Sequence, residues 1–129
     1  MGIFFRVCSD LFLFFRKNEG KMLLVYITCS SREEAKKIAK HLLEKKLCGC
    51  VNIISEIESL FFWPPESQNI DEGKEVLMLA KTTRENYEAL EQEVTKIHSY
   101  EVPCIFALPI EKMSKKYGEW IKQEMQSEK

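Results

Sequence analysis

The sequence predicts an α+β fold: a ferredoxin-like βαββαβ sandwich with an extra C-terminal helix and a long hairpin between its second and third strands. Three observations carry this expectation. The apolar pattern changes between strand and helix periods in the order βαββαβα. Two βαβ units in that order share a hairpin, and right-handed crossovers then put the helices on one face of a four-stranded antiparallel sheet. Finally, 129 residues, 45% of them apolar, suffice for one folded domain with its own core.

Residues 23–28 form a short β-rich run with few polar side chains, the pattern of a strand buried on both faces and central in its sheet. Ser30 and Ser31 stand three residues ahead of Glu33 and Glu34, a capping-box signature. Behind them Ala35, Ile38, Ala39, Leu42, Leu43 and Leu47 fall on one helical stripe, and Gly49 is placed to end the helix. From Cys50 to about Trp63 the chain reads as strand. Val51, Ile53, Ile57, Phe61 and Trp63 share one parity, and Asn52, Glu56 and Glu58 share the other.

That strand is long for the molecule. Roughly 14 residues at about 3.3 Å each reach on the order of 45 Å, whereas a globule of this length is roughly 36 Å across. The far end must overhang, and it carries Leu60, Phe61, Phe62 and Trp63, apolar on both parities. A ribbon apolar on two faces is an aggregation hazard unless another chain covers it, so an oligomer is expected.

Residues 64–69 supply the hairpin loop, since Pro64 and Pro65 cannot continue a ladder and the polar residues after them suit a turn. The return strand alternates from about Lys74 to Thr83. Thr82 or Thr83 then caps a helix whose buried face is Tyr87, Leu90, Val94 and Ile97, with His98 at its end. Pro103 opens a fourth strand over 104–110, and a last helix over about 113–125 turns Tyr117, Trp120 and Ile121 inward.

Charge and cysteine content exclude whole function classes. The 19 basic residues nearly cancel the 20 acidic ones, for a formal net charge of -1, so there is no electrostatic footprint for nucleic acid. Five cysteines without framework spacing fit free thiols in a reducing compartment, and a cytoplasmic protein is expected. Residues 1–21 read as an N-terminal apolar and basic extension ahead of a domain spanning 22–129. The apolar run over 3–15 is interrupted by Arg6 and Asp10 and falls short of the roughly 20 residues a bilayer span needs, so no membrane partner is expected.

Two families of this architecture fail on their motifs. An RNA-recognition domain needs a basic-aromatic third strand, and residues 75–83 contain no aromatic residue. A heavy-metal-associated domain needs Cys-x-x-Cys after the first strand, and Thr28-Cys29-Ser30-Ser31 offers one thiol.

A different set of motifs holds together. The first strand runs into Thr28, the first helix ends in 43–52 (LEKKLCGCVN), Trp63 follows, and then come 75–82 (EVLMLAKT) and 98–103 (HSYEVP). In order and spacing this resembles the CutA family, long called divalent-cation tolerance proteins, from Met22 to about Met125. The resemblance implies a ferredoxin-like homotrimer whose long hairpins exchange edges between subunits. It also implies a binding or regulatory role in copper or other divalent-ion tolerance. Departures are local: Trp63-Pro64-Pro65 replaces the usual Trp-x-Gly turn, and Ser99 stands where proline is usual. The family's copper ligands, a Cys near the end of the first strand and two adjacent His, align with Ile27, Ile97 and His98, so only His98 matches. Cys29 is close in sequence but is expected on the opposite side of the strand from position 27.

Each remaining candidate has two readings. His98 is a metal ligand or a helix-end histidine bonded to the last carbonyls. Cys29, Cys48 and Cys50 are soft-metal donors or small buried hydrophobes. Glu75 and Lys81 share a strand parity, and with Trp63 and Tyr100 they line either a ligand cleft or a subunit interface, Lys81 pairing with a carboxylate of another subunit or holding an anion. Glu56 and Glu58 form an acid–base pair or a solvated strand edge. No catalytic constellation is visible, so an enzyme is not expected. The alternatives to a metal-response module are a PII-like sensor of anions or small molecules in an intersubunit cleft, and a structural trimeric platform for protein partners.

Overall fold

A computed structural model describes residues 20–126; the apolar run predicted as an N-terminal extension, up to residue 19, lies outside the described residues. Alternating strand and helix periods resolve in the expected order. β1 is Met22–Cys29, α1 Arg32–Glu44, β2 Cys50–Phe62, β3 Ile70–Thr83, α2 Arg84–Ile97, β4 Ile105–Pro109 and α3 Lys115–Gln126. The strands form one antiparallel sheet in the order β2-β3-β1-β4, which is the predicted sandwich topology with β1 internal.

Strand alternation decides what the sheet buries. Val25, Ile27 and Cys29 of β1 and Val76, Met78 and Ala80 of β3 meet Ala35, Ile38 and Leu42 of α1 and Leu90 and Val94 of α2 in one core. Cys29 therefore lies on the same side as Ile27, against expectation, because residues two apart on a strand share a face. The other face is largely bare: α3 covers one end of it, where Ile121 and Met125 pack with Met22 and Cys50. Leu24, Tyr26, Ile57, Leu77 and Leu79 are only half-buried there, and Ile54, Phe106 and Leu108 are exposed. Beyond Met22, β1 is thus internal in the sheet yet well covered on one face only within a single chain.

Helix α1 starts as its residues predict: the Ser31 hydroxyl accepts from Glu34 N at 3.1 Å. It ends three residues earlier than Leu47, and Gly49 does not end it. Lys46 takes the left-handed turn at φ 61°, while Leu47 N donates to Leu42 O and Lys46 N to Leu43 O. This is a Schellman closure with a lysine in the glycine position. Gly49 has another duty: a Cβ there would stand 2.3 Å from Ile121 Cγ1, so the missing side chain lets α3 pack against the start of β2.

The long hairpin exists and is longer on its return side than predicted, β3 starting at Ile70. β2 is not regular. Its register with β3 shifts between Ile54 and Ile57, where Glu56 adopts φ 68°. Two residues oppose one at this bulge, so every side chain beyond it changes face. Val51 and Ile53 share a face with Glu58, Leu60 and Phe62, not with Ile57 and Phe61 as simple alternation predicts. Glu56 and Glu58 are likewise not a pair on one regular face: Glu56 sits in the bulge and bonds Lys74 Nζ at 3.2 Å. The overhang is apolar on both sides, with Leu60, Phe61, Phe62, Trp63 and Ile70 all exposed.

Candidate functional site

The polar convergence lies where β1 stops, α1 begins and α2 hands over to β4. Cys29, Glu34 and His98 bring a thiol, a carboxylate and an imidazole within 4.8 Å of one another. Each comes from a different structural cause. Cys29 is the last inward residue of β1, Glu34 is the third residue of α1 in the capping box, and His98 is the C-cap of α2.

Backbone bonds set the state of His98. Its Nδ1 accepts from Tyr100 N at 3.0 Å, so the ring proton is on Nε2, which donates to Thr28 O at 2.8 Å. The imidazole is buried, and Tyr100 lies over it with ring centroids 4.8 Å apart. The Tyr100 hydroxyl reaches on to Glu75 Oε2 at 3.0 Å. Burial, then the bond and charge of Glu75, push the Tyr100 phenol up to about 12, so it stays a donor.

Glu34 is the electrostatic anchor. Its Oε1 accepts from Ser30 N and Oγ at 2.9 Å each, and its Oε2 from Ser99 N at 2.8 Å. Burial alone would raise its pKa, but the bonds from Ser99 and Ser30 outweigh it and hold the carboxyl at about 2. Cys29 shows the opposite response: burial, then the charges of Glu34 and Glu75, push its thiol up to about 12. The thiol donates to Met78 Sδ at 3.3 Å.

The donor types fit a soft or borderline cation. With its proton held on Nε2 by a carbonyl, His98 keeps its lone pair on Nδ1, where it accepts the Tyr100 N–H. The family's other two ligand positions are aliphatic here: Ile27 is buried in the core and Ile97 packs against it. Any cation would therefore be held by this chain's own set.

The other predicted residues lie elsewhere. Lys81 donates to Asn52 Oδ1 and, at 3.7 Å, to Cys50 Sγ; its partner within the chain is an amide and a thiol, not a carboxylate. It lies six positions along β3 from Glu75, on the order of 20 Å. Trp63 sits at the hairpin tip, its N–H donating to Asn69 O at 3.0 Å. Within one protomer Lys81 and Trp63 thus do not join His98 and Tyr100. Cys48 is buried, and burial, then the neighbouring Cys50, push its thiol up to about 12. Sequence reading missed Glu34 and Met78. Glu34 was visible only as a capping residue, because its bond to Ser99 spans 65 positions, and Met78 only as one apolar position of an alternating strand.

The sequence profile described as CutA1 divalent ion tolerance protein matches residues 23–124. The "Divalent-cation tolerance protein CutA" of Archaeoglobus fulgidus is 46% identical over 97 residues, covering 75% of this chain and 91% of that protein. Human "Protein CutA" is 37% identical over 108 residues, covering 84% of this chain but 59% of its own length. Among solved structures, the one described as the periplasmic divalent cation tolerance protein CutA of A. fulgidus superposes with TM-score 0.77 at 43% identity, covering 81% of this chain and 99% of that one. CutA1 from Oryza sativa gives TM-score 0.78 at 33% identity, covering 84% and 96%. The profile spans the residues that build the sheet and the cluster at its end, the relatives and superpositions cover three quarters or more of the chain, and the chain belongs to the CutA1 divalent ion tolerance family.

Proposed function

We propose that this chain is a non-catalytic binding module of the divalent-cation response and that it works as a homotrimer in the cytoplasm. The observation that carries the assembly is the bare sheet face. Leu24, Tyr26, Ile54, Leu77, Leu79, Phe106 and Leu108 make a contiguous apolar surface on the side away from α1 and α2, and the hairpin beyond it is apolar on both sides. Surfaces of this kind on a soluble domain mark contacts with other chains. The names of the relatives supply the cation, and the thiol, carboxylate and imidazole cluster supplies donors suited to one. The free thiols of Cys29, Cys48, Cys50 and Cys104 suit a reducing compartment.

Interface variants test this reading. Leu79→Glu and Phe106→Glu place charges on the bare face without touching the core under the helices. Each is expected to turn the trimer into a folded monomer, read by light scattering and far-UV circular dichroism. Variants that remain trimeric would move the interface elsewhere. Thermal shift against anions and nucleotides separates the sensor alternative: a stabilising ligand whose effect vanishes in Lys81→Ala would favour that function instead.

A further inference from the structure

We propose that Cys50, paired with Lys81, is a modification site: a thiol oxidised reversibly by hydroperoxides to sulfenic acid beneath α3. It goes beyond the cation-binding reading above and draws on different side chains from the Cys29, Glu34 and His98 cluster. Register builds the pair. Cys50 opens β2 directly opposite Lys81 of β3, so the two side chains leave the sheet on the same face. The ammonium stands 3.7 Å from Cys50 Sγ, with its other bond to Asn52 Oδ1. Tyr117 of α3 adds a hydroxyl beside the same residue: burial, then the bond and charge of Cys50, push that phenol upward, so it stays a donor. An ammonium and a phenol converging on one sulfur are a setting for a thiolate, and afterwards for the oxygen of its oxidised form. The other described thiols lack it. Cys29 and Cys48 are buried, and burial pushes both thiols up to about 12. Cys104, though exposed, lies in the field of the Glu75 carboxylate, which disfavours a thiolate.

The chemistry is a two-electron transfer. The Cys50 sulfur attacks a peroxide oxygen, the S–O bond forms as the O–O bond breaks, and the departing hydroxide or alkoxide takes up the proton that the thiol gives up. Thiol and hydroperoxide thus become sulfenic acid and water or an alcohol. A low-molecular-weight thiol reverses the step: it forms a mixed disulfide with loss of water, and a second such thiol releases Cys50. Cys50 also belongs to the seat of α3, where it packs beside Tyr117 against Met22, Ile121 and Met125. An oxygen on its sulfur puts a polar atom into that apolar seat. The neighbouring Gly49 leaves no room for adjustment, since even a Cβ there would stand 2.3 Å from Ile121 Cγ1. Oxidation therefore loosens α3 and leaves the main core under α1 and α2 in place.

The test uses the full chain with Cys8 replaced by serine, treated with a small excess of hydrogen peroxide in the presence of dimedone, which traps sulfenic acid. Peptide mass spectrometry then reads which cysteine is labelled and how fast. Cys50 should be labelled about tenfold or more faster than exposed Cys104. Lys81→Met should slow labelling of Cys50 by about tenfold, and Lys81→Arg, which keeps the cation, should restore it. After oxidation without the trap, hydrogen exchange should quicken in α3 and the start of β2 and stay unchanged in α1 and α2. Preferential labelling of Cys104, or equal rates for Cys50 in the parent and Lys81→Met, overturns the proposal, and exchange that leaves α3 untouched overturns its coupling to that helix. The competition between Cys50 and Cys104 needs no substitution of Lys81, so it decides the matter even where Lys81→Met fails to fold.

Discussion

Ser30 and Ser99 come together on Glu34, and the consequence is measurable with acid. The carboxyl is held at about 2 against an ordinary 4.5, so the folded state binds the proton less readily than the unfolded chain. A depressed folded pKa gives stability that is fully present above pH 4.5 and is lost as pH falls towards 2. Glu34→Gln should therefore cost about 1–2 kcal/mol at neutral pH, and the gap to wild type should close across that acid window in urea titrations. A gap that stays constant with pH would assign the loss to packing. Tyr100→Phe removes the donor to Glu75, and about 1 kcal/mol of destabilisation is expected from the same measurement at pH 7. At this scale the sequence was legible where a role is local. The capping pair Ser31 and Glu34 could be read from spacing, whereas Ser99 on Glu34 and Met78 on Cys29 could not, since both depend on register between distant segments.

Among the elements, those with a regular period were readable and those with a local irregularity were not. α2 and the return strand followed their apolar stripes, and α1 did so as far as Leu42, with Leu43 exposed and Leu47 beyond the helix end. The bulge at Glu56 did not announce itself, because glutamate at φ 68° carries no glycine or asparagine signal. One inserted residue then reversed the faces of Leu60, Phe61 and Phe62. The same kind of substitution misled the end of α1, where Lys46 fills a position that usually calls for glycine, and the nearby Gly49 drew the prediction instead. What Gly49 does is admit α3. Gly49→Ala would drive a methyl group into the side chain and backbone carbonyl of Ile121, at 2.3 Å and 2.9 Å. A loss of about 1–3 kcal/mol is expected, with faster hydrogen exchange confined to α3 and the start of β2. Uniform loosening of the sheet would contradict that assignment.

The whole molecule explains why β1 reads as a strand buried on both faces while one chain buries only one. Leu24 and the ring of Tyr26 continue the apolar run of Val25 and Ile27, yet they face the bare side, where Tyr26 stacks on Phe106 with ring centroids 4.7 Å apart. The proposed assembly gives that second face its cover. The overhanging hairpin makes the same demand, since Leu60, Phe62 and Ile70 have no partner surface within the described residues. Other copies of the chain are the proposed cover; no helix of the described residues is long and apolar enough to cross a membrane. Sedimentation equilibrium of the reduced protein at micromolar concentration puts this to the most direct test. The expected mass is three times the 15.2 kDa of one chain, unchanged on tenfold dilution, and a stable folded species of 15.2 kDa under those conditions would contradict it.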